Sequence, residues 1–154
     1  MPSGSSLAET DEGIWEHAGF VVDARKCPLI IVTYPGSVDL EAYEVLFEEY
    51  ARLAAAHQHL AWLIDFRSFN PITAPARVRY ASADVFARYR ERLLPSTLCE
   101  ARVVESMLGR GVLTAFDWIT GSKWPTENFK REDDAMRWIK SWQIRADIAE
   151  KRRD

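Results

Sequence analysis

Residues 28–66 read PLIIVTYPGSVDLEAYEVLFEEYARLAAAHQHLAWLIDF, and the order of elements in this stretch decides the fold. Its first seven residues, Pro28–Tyr34, are apolar and rich in β-branched side chains, as a strand requires. Pro35-Gly36 breaks the run, and Ser37 or Asp39 can cap a helix. Tyr43, Leu46, Phe47, Tyr50, Leu53 and Ala54 then recur at i, +3, +4, +7, +10 and +11. At roughly 100° per residue they form one apolar stripe, which predicts a helix over Val38–His57. Leu60–Phe66 (LAWLIDF) is a near-continuous apolar run without polar alternation, the pattern of a central strand covered on both faces.

The reading extends outward in both directions. Gly19–Arg25 (GFVVDAR) is a strand that turns near Lys26 and Cys27 into Pro28–Tyr34, with Ile14–His17 read as an extension of it. Beyond the central strand, Arg67–Pro75 (RSFNPITAP) is a loop, and Thr73–Leu93 a second helix stopped by Pro95. Leu98–Glu105 is a fourth strand. Gly109-Arg110-Gly111 precedes a short helix that ends at Gly121, and Glu127–Lys130 is a fifth strand. Glu132, Asp133 and Asp134 favour a helix N-terminus, and Ala135, Trp138, Ile139 and Trp142 line that helix's buried face. The order ββαβαβαβα predicts an α/β domain with a mixed, mostly parallel five-stranded sheet and four helices. Residues 1–13 are expected to be disordered, 14–144 to form the domain, and 145–154 to be a charged helical extension or tail.

The composition removes several classes of function. The chain has 154 residues, 47% hydrophobic and 28% charged, which suits one domain with a sizeable core rather than disorder. Its formal net charge of −3 gives no global field for gripping nucleic acid. No apolar run approaches the roughly 18 residues of a membrane span, and no signal peptide is evident, so a cytoplasmic location is expected. Cys27 and Cys99 show no metal or redox spacing and read as reduced structural thiols. His57 and His59 lack a third ligand, with His17 the remaining histidine, so neither a metal nor any cofactor is expected. There is no GxSxG, no phosphate-binding glycine loop and no nucleophile–base spacing, so an enzyme is not expected.

Element order and local motifs resemble the SpoIIAA-like branch of the STAS superfamily, a bacterial regulatory group. The resemblance rests on PLIIVTYPGSVDLEAY, on AWLIDFRSF with its closing aspartate, and on ENFKREDDAMRWIKSW with Ala-x-x-Trp-Ile. It spans roughly residues 19–143 and implies a non-enzymatic regulatory or binding module. It also implies two alternatives: a phosphorylation-controlled anti-anti-sigma-like switch, and a carrier of a small apolar or lipid ligand. The Asp-Ser-x-Gly turn of the switches is replaced here by Arg67-Ser68-Phe69-Asn70, leaving Ser68 and Thr73 as phosphate acceptors. Thr73 has a simpler reading as a helix N-cap.

Candidate binding residues follow from position. Asp65 and Arg67 fall at the carboxyl end of the central strand, where open α/β sheets bind ligands. With Ser68, Thr73 and Arg77 they form the expected surface for a protein partner or small ligand. Trp118 and Trp124 bracket Gly121-Ser122-Lys123 and are candidate recognition aromatics. Of the six tryptophans, Trp62, Trp138 and Trp142 are expected in the core, and Trp15 at the N-terminal edge. The first helix carries Asp39, Glu41, Glu44, Glu48 and Glu49 against Arg52. The second carries Arg77, Arg79, Arg88, Arg90 and Arg92 against Asp84 and Glu91. Pairing between these helices, within the chain or across a homodimer, is the expected use of that charge.

Overall fold

The structure is a computed structural model that describes residues 12–70, 72–121 and 123–153. Its elements are β1 (Ile14–His17), β2 (Phe20–Lys26), β3 (Leu29–Thr33), α1 (Leu40–Ala56), β4 (Leu60–Asp65) and α2 (Ala76–Leu93). They continue with β5 (Thr97–Val103), α3 (Met107–Thr120), β6 (Thr126–Phe129) and α4 (Glu132–Arg153). A short 3-10 turn, Leu94–Ser96, joins α2 to β5. The strands lie in chain order, β1-β2-β3-β4-β5-β6. The first two pairings are antiparallel and the remaining three parallel.

The sheet has six strands rather than five, because Ile14–His17 is a strand of its own. His17 pairs with Phe20 across a two-residue turn in which Ala18 (φ 49°) and Gly19 (φ 85°) are both left-handed. Two positive φ values give the turn whose twist matches antiparallel strands. An alanine seldom adopts that conformation, so the sequence signals this hairpin weakly.

Strand order also decides where the helices lie. From β3 to β6 each parallel strand is added on the same side of the last, so right-handed crossovers put α1, α2 and α3 on one face. Leu60, Trp62 and Ile64 of β4 point to that face and pack with Leu46, Tyr50 and Phe86. Ala61 and Leu63 point to the other, where Cys99, Ala101 and Val103 of β5 meet Ala135 and Ile139 of α4. The second face is therefore covered by α4, which continues to Arg153. Burial on both faces explains the unalternated apolar run of β4.

Helix ends account for the other boundary differences. Asp39 caps α1 by accepting from Ala42 N at 3.2 Å. The second helix begins at Ala76 instead of Thr73, with Pro75 at its N-cap and no side-chain cap. A residue preceding proline is pushed out of the helical region, which bars upstream extension through Ala74. Thr73 instead donates its hydroxyl to Asn70 O at 3.1 Å. The third helix starts earlier than expected, because Ser106 caps it by accepting from Gly109 N at 3.1 Å. Gly109-Arg110-Gly111 thus sits inside its first turns. Arg88 of α2 bonds Glu44 of α1, and Tyr89 bonds Glu48, so the oppositely charged helices do pair within the chain. Among the described residues no helix is long and apolar enough to cross a membrane.

Candidate functional site

Between the α1–α2–α3 layer and the sheet lies a cavity of about 460 Å³. Eleven of the residues lining it are aromatic: Tyr34, Tyr43, Phe47, Tyr50, Trp62, Phe66, Phe69, Tyr80, Phe86, Phe116 and Trp124. Tyr50 lies between Trp62 and Phe47, each ring centroid 4.8 Å away, and Phe86 bridges to Trp124 at 5.8 Å. Tyr80 and Ile119 line the cavity although 72% and 71% of their surface is exposed. They therefore mark its mouth, between α2 and α3.

The cavity contains charge. Glu100 and Arg102 are two residues apart on β5, so both side chains leave the same face of the sheet, under the helices. Arg102 is 4% exposed and donates from Nε to Glu100 Oε2 at 2.6 Å. Its Nη1 lies 2.7 Å from Asp117 Oδ1 of α3, close enough for an ion pair but not aligned as a hydrogen bond. Trp124 Nε1 donates to the other Glu100 oxygen at 3.1 Å. Tyr50 Oη, also buried, finds no well-formed hydrogen bond among the described residues. Burial pushes the Asp117 carboxyl above its ordinary value, against the pull of Arg102. Burial opposes the charge on Arg102, yet Glu100 and Asp117 prevail and hold it protonated. Burial also lifts the Tyr34, Tyr43 and Tyr50 phenols well above their usual value near 10, reinforced by one another and by Glu100. The result is an aromatic chamber with neutral phenols and one charge cluster at its wall.

Of the candidate binding residues Asp65, Arg67, Ser68, Thr73, Arg77, Trp118 and Trp124, the last alone lines this cavity. Trp118, its expected companion, sits on the outward face of α3 and is 86% exposed. The two do not form a common lip, because Trp118 lies inside a helix and Trp124 on the approach to β6. Met107, Leu108 and Ile119 of α3 are exposed as well. Asp65 and Arg67 clasp each other at the end of β4, with Nη2 to Oδ2 at 2.8 Å and Nε to Oδ1 at 3.0 Å. Burial would raise the Asp65 carboxyl, but Arg67 outweighs it and holds it below its ordinary value. Arg67 also reaches Glu132 at 3.3 Å and borders a separate polar depression of about 320 Å³ with Glu105, Lys130 and Arg131. Ser68, Thr73 and Arg77 are exposed, and none of them lines the cavity.

The remaining candidates find local roles. His59 pairs with Glu150 at 2.8 Å, and the exposed His57 caps the end of α1, its backbone N–H donating to Leu53 O. Cys27 is partly buried; Cys99 is fully buried on the α4 face, where burial pushes its thiol up to about 12. Trp15 and Trp62 are buried, whereas Trp138 and Trp142 are half-buried against the second core. The N-terminal segment expected to be disordered lies, through residue 11, outside the described residues.

The signal for the cavity charges was present in Cys99-Glu100-Ala101-Arg102-Val103, where small apolar and charged residues alternate. With β4 on one side and β6 on the other, such a strand has no solvent edge. Its charged face must then meet the helix layer.

An uncharacterized protein of the DUF3478 family from Shewanella loihica PV-4, described as having a SpoIIAA-like fold, is similar in structure. It shares a TM-score of 0.56 and 13% identity, covering 82% of this chain and 90% of its own. This chain accordingly has a SpoIIAA-like α/β fold. No protein-family model and no curated protein matches it.

Proposed function

We propose that this protein is a non-enzymatic binding module that holds a small, largely apolar molecule in the cavity between α1, α2, α3 and the sheet. The observation that carries this reading is the 460 Å³ aromatic chamber with Glu100 and Arg102 at its wall. A mostly apolar concavity of that size with a few convergent polar groups is the usual form of a small-molecule site. The non-enzymatic part rests on how the polar groups are used. Arg102 lies between two carboxylates, and Cys99 lies on the opposite face of the sheet. In this reading the ligand enters beside Tyr80 and Ile119, and the Asp65–Arg67 clasp serves to anchor the loop before α2 to α4.

The test uses N-phenyl-1-naphthylamine, a neutral apolar fluorophore that brightens when it leaves water. The expected result is saturable, one-to-one enhancement with the wild-type protein. Ala83→Phe, which fills the lining between α2 and α3, should weaken binding at least tenfold while the far-UV circular dichroism is unchanged. Absence of saturable binding by the wild type, or equal binding by the filled variant, overturns the reading.

A further inference from the structure

The solvent side of α3 is apolar, where a surface helix is ordinarily polar. At roughly 100° per residue, Met107, Leu108, Gly111, Ala115, Trp118 and Ile119 fall within about one third of the helix circumference. All six are exposed, and the middle of their sector lies opposite the buried Leu113 and Thr120. The four large ones have between 71% and 86% of their surface exposed. No charged side chain shares this sector: Arg110 donates to Val104 O and Glu105 O, and Asp117 pairs with Arg102. A Cβ added to Gly111 would meet nothing within 4 Å. A contiguous apolar patch left open in this way marks an interaction surface.

The spacing within the patch says what covers it. Met107 and Ile119, Leu108 and Trp118, and Gly111 and Ala115 are each centred on position 113. An interface made by two copies about a twofold axis is self-complementary: residue i meets j, and j meets i. Two α3 helices laid antiparallel, with the axis at the level of Leu113, meet that demand. Each end then joins large to large, Leu108 to Trp118 and Met107 to Ile119. In the middle only Gly111 and Ala115 face each other, so the backbones approach closely enough for both ends to touch. A foreign partner has no need of this symmetry. A helix lying on a bilayer draws on basic side chains beside its apolar face, and Arg110 is already held by two carbonyls. The helix is about 21 Å long, which puts the pair near the lower bound of specific interfaces, about 1,000 Å² in total. Association in the micromolar range is expected for a contact of that size.

We propose that the protein forms a homodimer through α3, the two helices antiparallel about a twofold axis at Leu113, with Leu108 of each copy against Trp118 of the other. This pairing does not depend on what the cavity holds. Ala115 and Ile119 border the cavity mouth as well, so assembly narrows that mouth on its α3 side.

The experiment is sedimentation equilibrium of the full chain from micromolar to millimolar concentration. The wild type is expected to pass from monomer to dimer across that range. Gly111→Arg should weaken association at least tenfold and leave the far-UV circular dichroism of the monomer unchanged, because its side chain meets open space in a single copy. Leu108→Lys and Trp118→Glu, each alone, should weaken association to the same degree. Mixed in equal amounts, these two variants should associate at least fivefold more tightly than either does alone. In the mixed pair the new ammonium faces the new carboxylate at one end, and a native leucine–tryptophan contact remains at the other. A wild type that stays monomeric throughout, single variants that associate as well as the wild type, or a mixture no tighter than its components overturns the proposal. Flotation of a monomeric wild type with phosphatidylcholine–phosphatidylglycerol vesicles overturns it in favour of a bilayer as the occupant of this face.

Discussion

Single residues in this fold are constrained mainly where the backbone is unusual. Gly19 has φ +85°, and a Cβ added there would lie 2.8 Å from Pro35 Cβ. Gly19→Ala therefore meets both left-handed strain and a clash with a rigid ring that joins β3 to α1. It should cost about 1–3 kcal/mol, measured as a lower urea midpoint at unchanged slope. A change confined to within about 0.5 kcal/mol would show that the turn and Pro35 relax freely. Gly111 is the contrast: it lies on a helix, and a Cβ there would meet nothing.

Among elements, α4 has the largest structural duty for its small apolar content. It is the helix that covers the second face, and it does so with Ala135 and Ile139 fully buried and Trp138 and Trp142 beside them. Ile139→Ala should cost about 2–4 kcal/mol by denaturant unfolding, because β4 and β5 lose their cover and cannot collapse around the gap. Met136, on the outer side of the same helix and 36% exposed, should cost under about 1 kcal/mol on the same change. Equal losses would mean that α4 is not seated as described.

What the sequence made legible follows the same division. The period of α1 and the apolar run of β4 are direct imprints of burial, so both elements fall within two residues of their expected limits. The separate β1 was not legible, since it depends on Ala18 taking a conformation that its side chain disfavours. The start of α2 follows from the restriction that Pro75 puts on the residue before it. For the site, positional logic at the end of the central strand led to Asp65 and Arg67, which satisfy each other. Glu100 and Arg102 were legible in the alternation of β5 only together with a sheet order that buries both of its edges.

At the scale of the whole molecule, the buried phenols make stability depend on alkaline pH. Burial raises Tyr34, Tyr43 and Tyr50 well above their ordinary value, so the folded state disfavours the phenolates that the unfolded chain forms near pH 10. A raised folded-state pKa gives stability that is complete below the unfolded value and lost as pH climbs towards the folded one. The urea midpoint should hold up to about pH 9.5 and fall steeply beyond it. Tyrosinate absorbance from these three should appear together with loss of near-UV circular dichroism, not ahead of it. Tyr50→Phe should remove one tyrosinate from that cooperative step. Ionisation of all three in a still-folded protein would contradict their burial.

The unbroken strand order has a further meaning for how the chain is made. Each strand pairs with the one synthesised just before it, so none emerging from the ribosome waits for a partner not yet translated. Helices α1, α2 and α3 follow the same schedule on their face. The opposite face, carrying Leu29, Ala61, Leu63, Cys99, Ala101 and Val103, stays bare until the last helix is released. The nascent protein therefore completes its sheet before it can shield it. For that interval the greasy side of β3, β4 and β5 is the surface a chaperone would meet.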